Sequence, residues 1–479
     1  MKRFLWLGFV ALVYVICSGC GETFRPIIIP NPPTFPNPAA AHTVVTISQN
    51  VTDNLTQEPG SAMVIDVSGD SIVSVANVGY APVHAVQQSA SVILVANHSV
   101  TGAGADSITK LSFSGTTIVT NPSPPTISLP PNSAPSFVAT TESSQAYVLL
   151  PGYVNPANNL VVPSVGVINT NSNNLVTIIP LSNNAGANPV AMVETLDTKK
   201  LYVANQGLGT VSGFNTVDQS SRTINGALTA PPIWLSARSD SQAVYVLEAS
   251  GTLAWISTIS TSGPDTLAET SISVPGANIM IYDPNLNRLY IPGEQEVAIV
   301  DVSQSPPVAL AGGPIAIPTV PPGSRAAGDP CLLTDAQPLT VAAVAALPDG
   351  SRAYVGAYYE DASNNICPQV TVIDAVSNTV KSSTAVPGFT DATIPTLGGQ
   401  PNPYYVPVCA TTRFRFGMAA GGDSSRAYLS ACDNGLVNII DTSTDSYVLN
   451  LAEPVGVRPP IPPNPQNPPQ NPVFLMAGP

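Results

Sequence analysis

The chain has 479 residues, of which only 10% are charged and 50 are proline; average soluble proteins carry about 25% charged residues and about 5% proline. So little Glu, Lys and Arg excludes long solvated helices and coiled coils. Proline plus glycine stays below the roughly 25–30% that marks a disordered low-complexity chain. The net charge of -14 comes without any basic stripe, which excludes nucleic acid as a partner, because phosphate binding needs clustered cations. What remains is an all-β chain of short strands and many turns, its acidity serving solubility.

Lys2 and Arg3 open the chain, Phe4 to Ile16 form an apolar run of 13 residues, and Cys17-Ser18-Gly19-Cys20 follows. A bilayer span takes about 20 apolar residues, so this run is too short. The arrangement resembles a bacterial lipoprotein signal, with Cys17 where such signals usually carry Leu. The resemblance implies removal of residues 1–19, acylation of Cys20 and a mature net charge of -16. Gly21, rather than Asp, after the cysteine implies outer-membrane sorting, placing the protein in the bacterial cell envelope. Residues 20–41 are rich in proline and favour extended polyproline II structure, a tether between anchor and domain.

From residue 42 a pattern repeats. Lys200-Leu201-Tyr202-Val203-Ala204-Asn205, Arg288-Leu289-Tyr290-Ile291, Arg352-Ala353-Tyr354-Val355 and Arg426-Ala427-Tyr428-Leu429 are each followed by a second β-branched run. That run ends in Asp301, Asp374 or Asp441 in three of the copies. Weaker copies surround Val92–Ala96, Tyr147 and Tyr245. Each copy reads as a hairpin, preceded by a small-residue strand and followed by a looser one. Four strands per unit is the pattern of a β-propeller blade. The tokens LYVAN and VIDxxSNTV are similar to the YVTN-type propeller repeat, and more distantly the chain resembles lactonase-like propellers.

Labelling the strands a to d from the axis outwards, eight b-strands can be counted, from Val44–Ser48 to Tyr428–Ser430, and eight c-strands. Only seven a-strands precede them. After a proline tract at 458–472, residues 473–479 supply the missing one. The expectation is a ring of four-stranded blades over 42–457 closed by a C-terminal strand, which would leave no open edge. Eight blades follow from the count; seven is the alternative.

Cys331 and Cys367 fall before the a-strand and in the b–c loop of one blade, and Cys409 and Cys432 fall likewise in the next. Those loops share one face of a propeller, so the expected disulfides are Cys331–Cys367 and Cys409–Cys432, permitted in an exported protein. The same blades carry insertions at 305–337, 357–368 and 382–412. Tyr358, Tyr359, Glu360, Asp361, Tyr404 and Tyr405 lie in them and form a candidate binding face for a saccharide, peptide or cation.

The histidines His42, His84 and His98 have no partners at metal-ligand spacing in the sequence, with His84 in an a-strand near the axis. There is no nucleophile elbow, phosphate loop or haem-attachment motif. No metal, cofactor or catalytic residue is expected. The recurrent Asp66, Asp301, Asp374 and Asp441 are read as turn formers. The reading is a non-catalytic binding or scaffold lipoprotein, anchored in the membrane and meeting an envelope protein, peptide or saccharide. The alternatives are a hydrolytic lactonase-like propeller and a structural surface-layer component.

Overall fold

The computed structural model describes residues 42–478 except 51–57, 99–105, 120–123, 142–143, 182–184, 311–312, 321–324, 326–327, 332–337, 391–395, 398–399, 402–414, 434 and 449–470. The signal, Cys20, the tether and most of the proline tract therefore lie outside the described residues.

The chain forms eight blades, each built on four strands that pair antiparallel. Their b-strands are Thr43–Asn50, Val92–Asn97, Gln145–Leu150, Lys200–Asn205, Ala243–Glu248, Arg288–Pro292, Arg352–Glu360 and Arg426–Ala431, the eight expected. In blade 1 the order runs from inside to outside Asn471–Ala477, Thr43–Asn50, Glu58–Asp66, Ser71–Tyr80. The last strand of the chain is thus the inner strand of the first blade, pairing Val45 with Met476 and Ile47 with Phe474. The inner strand of each blade touches that of the next through the whole circle.

The blades hold together through their faces. Both faces of a blade are covered by neighbours, so strands read as near-continuous apolar runs, and the core clusters bridge blades. Six tyrosines occupy the third position of a b-strand and are essentially fully buried: Tyr147, Tyr202, Tyr245, Tyr290, Tyr354 and Tyr428. A buried hydroxyl without a partner costs about 1–3 kcal/mol. Most of these hydroxyls find theirs in the next blade, near its c–d turn.

Tyr202 donates to Asp265 at 2.8 Å, Tyr245 to the Val302 carbonyl at 3.2 Å, Tyr354 to Asp445 at 2.6 Å and Tyr428 to Asp70 at 2.9 Å. The cation two residues before the tyrosine makes the same crossing. Lys200 reaches Asp265, Arg288 reaches Asn378, Arg352 reaches Asp445, and Arg426 reaches Asp70. The last of these spans blade 8 to blade 1, so a polar clamp as well as a strand closes the ring. Among the end-of-strand aspartates, Asp66, Asp301, Asp374 and Asp441 each accept the amide two residues on, the turn role expected of them.

Blade 7 departs from expectation. Residues 357–368 are not an inserted loop: its b-strand continues to Glu360 and its c-strand starts at Asn365, pairing Tyr359 with Cys367. A longer hairpin gives these side chains neighbours to pack against.

Two outcomes are expected. Removing residues 471–479 exposes both the edge of Thr43–Asn50 and apolar surface of the neighbouring blades, so it lowers the melting temperature in a thermal scan; an unchanged value contradicts closure. Asp265→Ala leaves Lys200 and Arg222 buried without their counter-charge and costs about 3–5 kcal/mol of unfolding free energy in denaturant titration.

Candidate functional site: the axial cavity

The a-strands begin at the end of the ring that carries the d–a and b–c connections, here called the upper end. Several start in one way. Pro82-Val83-His84, Pro232-Ile233-Trp234 and Pro472-Val473-Phe474 each open with a proline at the first or second strand position. There a missing amide costs no ladder bond. In all three blades the pairing register shifts between the proline and the aromatic ring two residues on. A bulge re-aims a side chain, and these rings turn to the axis. His84 stacks on Phe137 with centroids 3.7 Å apart, Phe474 tilts against His84 at 4.9 Å, and Phe137 meets Trp234 edge-on at 5.7 Å.

Register shifts at the same place in blades 4 and 7 present Ala191 and Ala343 instead. In blade 8 the start of the strand is Phe416-Gly417-Met418. Where the layer carries Ala343 and Gly417, the ring does not fill. A cavity of about 150 Å³ is left, lined by His84, Trp234, Phe416, Phe474, Met418, Val473, Leu475, Gly417, Ile279, Ile281, Ala343 and Val344. Of these side chains only His84 is ionisable. Its Nδ1 accepts the Val138 amide at 3.4 Å, which puts the proton of a neutral ring on Nε2.

The expected binding face takes a different form. Tyr358 and Tyr359 are 9% and 4% exposed. Tyr358 packs against Phe416 at 5.2 Å with the Arg415 guanidinium over it, and Tyr359 lies under Arg325. They are therefore core residues, because the hairpin extension carries them under the upper loops. Asp361 is buried and accepts the amides of Ser363 and Asn365; Glu360 alone of these four is exposed. Tyr404 and Tyr405 lie outside the described residues. Arg415 pairs with Asp433 at 3.1 Å beside Phe416.

The Cys331–Cys367 disulfide is present. It fastens an upper insertion whose Arg325 donates to the carbonyls of Val386 and Pro368. Cys331, Cys367 and Asp361 could together face a metal ion, but disulfide sulfurs have no thiolate to offer. Cys432 is buried; its expected partner Cys409 lies outside the described residues. His98, which the sequence leaves without a partner, meets Asp106 at 3.1 Å; Asp106 also accepts the Ala134 amide, tying blades 2 and 3.

Several acids are strongly tuned. Burial pushes Asp265 towards neutrality, but hydrogen bonds from Arg222, Tyr202 and Lys200 outweigh it and hold its carboxyl below the usual range. Glu248, fully buried at the upper end of blade 5, is raised by burial and by Glu269 against the pull of the Ala230 amide. Glu194, where blades 3 and 4 meet, is pushed up to about 7 by burial, despite hydrogen bonds from Thr141.

No protein-family model and no curated protein matches the chain in sequence. The fold is matched by solved structures. Citrobacter koseri AztD superposes with a TM-score of 0.54 at 10% identity, covering 91% of this chain and 97% of that one. Its apo form gives 0.53 at 11% identity over the same shares. The dihydro-heme d1 dehydrogenase NirN gives 0.53 at 12% identity, covering 91% of this chain and 76% of that one. The likeness is one of fold: the chain is an eight-bladed β-propeller.

Glu194 predicts a pH dependence. Its folded value lies above the 4.5 of the unfolded chain, so the folded state holds a proton that the unfolded chain has released. Its contribution is present below about pH 4.5 and is lost as pH rises to about 7. Glu194→Gln removes that loss. The stability difference between variant and wild type should shift in favour of the variant by about 2–3 kcal/mol between pH 4.5 and 8, read from denaturant midpoints.

Proposed function

We propose that the chain is a lipid-anchored envelope protein whose YVTN-type propeller binds a ligand at the upper end of its axis without transforming it. The observation that carries this reading is the lining of the axial cavity: aromatic and aliphatic side chains with His84 as the one ionisable group among the described residues. Hydrolysis of a lactone would call for an acid–base pair or an electrophile facing the substrate, and this lining offers a single imidazole. The disulfide Cys331–Cys367 suits an oxidising compartment. The lipoprotein-like stretch Cys17 to Cys20 and the proline-rich residues after it support anchorage, with the outer membrane as destination.

Both halves of the reading can be tested on the full chain. Cys20→Ser should move the protein from the membrane fraction to the soluble fraction of the envelope. The purified protein should show no turnover of a lactone panel. Lactone hydrolysis that disappears in His84→Ala would replace binding by catalysis.

A further inference from the structure

We infer that the axial cavity takes one neutral, monocyclic aromatic ring. The inference rests on reading the cavity as a binding site and adds the class of its occupant. Three observations carry it.

The first is size. The space is about 150 Å³, and an apolar protein cavity of about 150 Å³ accommodates a single benzene molecule. A monocyclic ring matches that volume better than a bicyclic one.

The second is the wall itself. Phe474, His84, Phe137 and Trp234 form an unbroken series of ring contacts around one side of the axis. That series ends at Trp234 on one side and at Phe474 on the other, and between those ends the equivalent places in blades 7 and 8 carry Ala343 and Gly417. A ring seated there continues the series, gaining offset or edge contacts worth about 0.5–1.5 kcal/mol beyond burial. Met418 also lines the space, and a thioether is a favourable neighbour for an aromatic edge.

The third is charge. Among the described residues, no carboxylate, lysine or arginine lines the cavity. An ionised ligand would leave water without a counter-charge, a cost of several kcal/mol. The occupant is therefore neutral, in the class of toluene or benzyl alcohol.

The register gives a well-matched test. Ala343 occupies in blade 7 the place that His84, Trp234 and Phe474 occupy in blades 2, 5 and 1. Ala343→Phe therefore completes the aromatic layer and fills the cavity with a residue type this place already accepts. Binding is read by Trp234 fluorescence, with Trp234→Phe as blank, and by saturation-transfer NMR on the ligand.

Wild type should bind toluene and benzyl alcohol saturably and benzoate at least tenfold more weakly. Ala343→Phe should lose that binding at least tenfold while keeping its melting temperature. If Ala343→Phe does not fold, Trp234→Ala supplies the second arm: by NMR it should shift preference from toluene to naphthalene. Benzoate binding as tightly as benzyl alcohol, or toluene binding unchanged in Ala343→Phe, overturns the inference. Saturable binding of hexanol without toluene overturns the ring while leaving the cavity a binding site. Lactone turnover at His84 without ring binding overturns both.

Discussion

The interaction on which the architecture depends is the crossing from one b-strand to the next blade's c–d turn. A propeller blade has two apolar faces, and neither is satisfied inside its own sheet. The tyrosine at the third b-strand position fills the wedge between blades, and its hydroxyl must then be paired. Asp265, Asp445 and Asp70 do this in blades 5, 8 and 1, each with a cation converging on the same carboxylate. Because the partners of Tyr202, Tyr245, Tyr354 and Tyr428 each lie in the following blade, the clamp has a direction. This explains a chain with so few charged residues. Several of those it has sit at these joints, where a buried pair outweighs the desolvation of its members only if its hydrogen bonds are complete. Asp265 illustrates the completeness: it accepts from Lys200, Tyr202 and Arg222 at once.

The abundance of proline has a comparable physical account. Pro82, Pro189 and Pro232 open inner strands, where the amide that proline lacks is not required. The register shift that follows each one turns the next side chain but one towards the axis. Rotation about the ring then sets what fills the centre. Where that residue is His84, Trp234 or Phe474 the axis is full; where it is Ala343 beside Gly417 a space remains. The cavity is therefore a property of the repeat and its exceptions, not of any one loop.

Much of this was legible in the sequence, and the reason is repetition. Six of the eight b-strands could be placed because Tyr followed by Val, Ile or Leu recurs, with a second apolar run beyond a turn; Val44–Ser48 and Val92–Ala96 followed from the same hairpin pattern without the tyrosine. The closing strand could be placed because Thr43–Asn50 had no inner partner before it. The Cys331–Cys367 pairing followed from equivalent places in one blade. What stayed hidden depends on side-chain direction. Tyr358 and Tyr359 looked like loop aromatics because Gly356-Ala357 is a plausible strand end; only pairing with Gln369 to Cys367 shows that the strand runs on. Arg and Lys before the tyrosines were visible as tokens, but their partners lie about 60 to 90 residues further along, or 356 back for Arg426 and Asp70. The cavity did have a signal, the Pro-Val-His, Pro-Ile-Trp and Pro-Val-Phe triplets, and it became readable once the bulge gave the third residue its direction.

Closure and cavity are one structural event. The strand that completes blade 1 is also the strand that brings Val473, Phe474 and Leu475 to the axis. Before it docks, the first b-strand has an open edge and the axial layer lacks one of its four contacting rings. An occupant of the cavity touches only the closed ring, so mass action makes it stabilise closure over any opened form. The same coupling runs through Asp70. It lies in the c–d turn of blade 1 and receives Arg426 and Tyr428 from blade 8, drawing together the two blades between which the last strand sits. A ring sealed by a C-terminal strand at its inner edge and by a charged clamp further out resists separation at two radii.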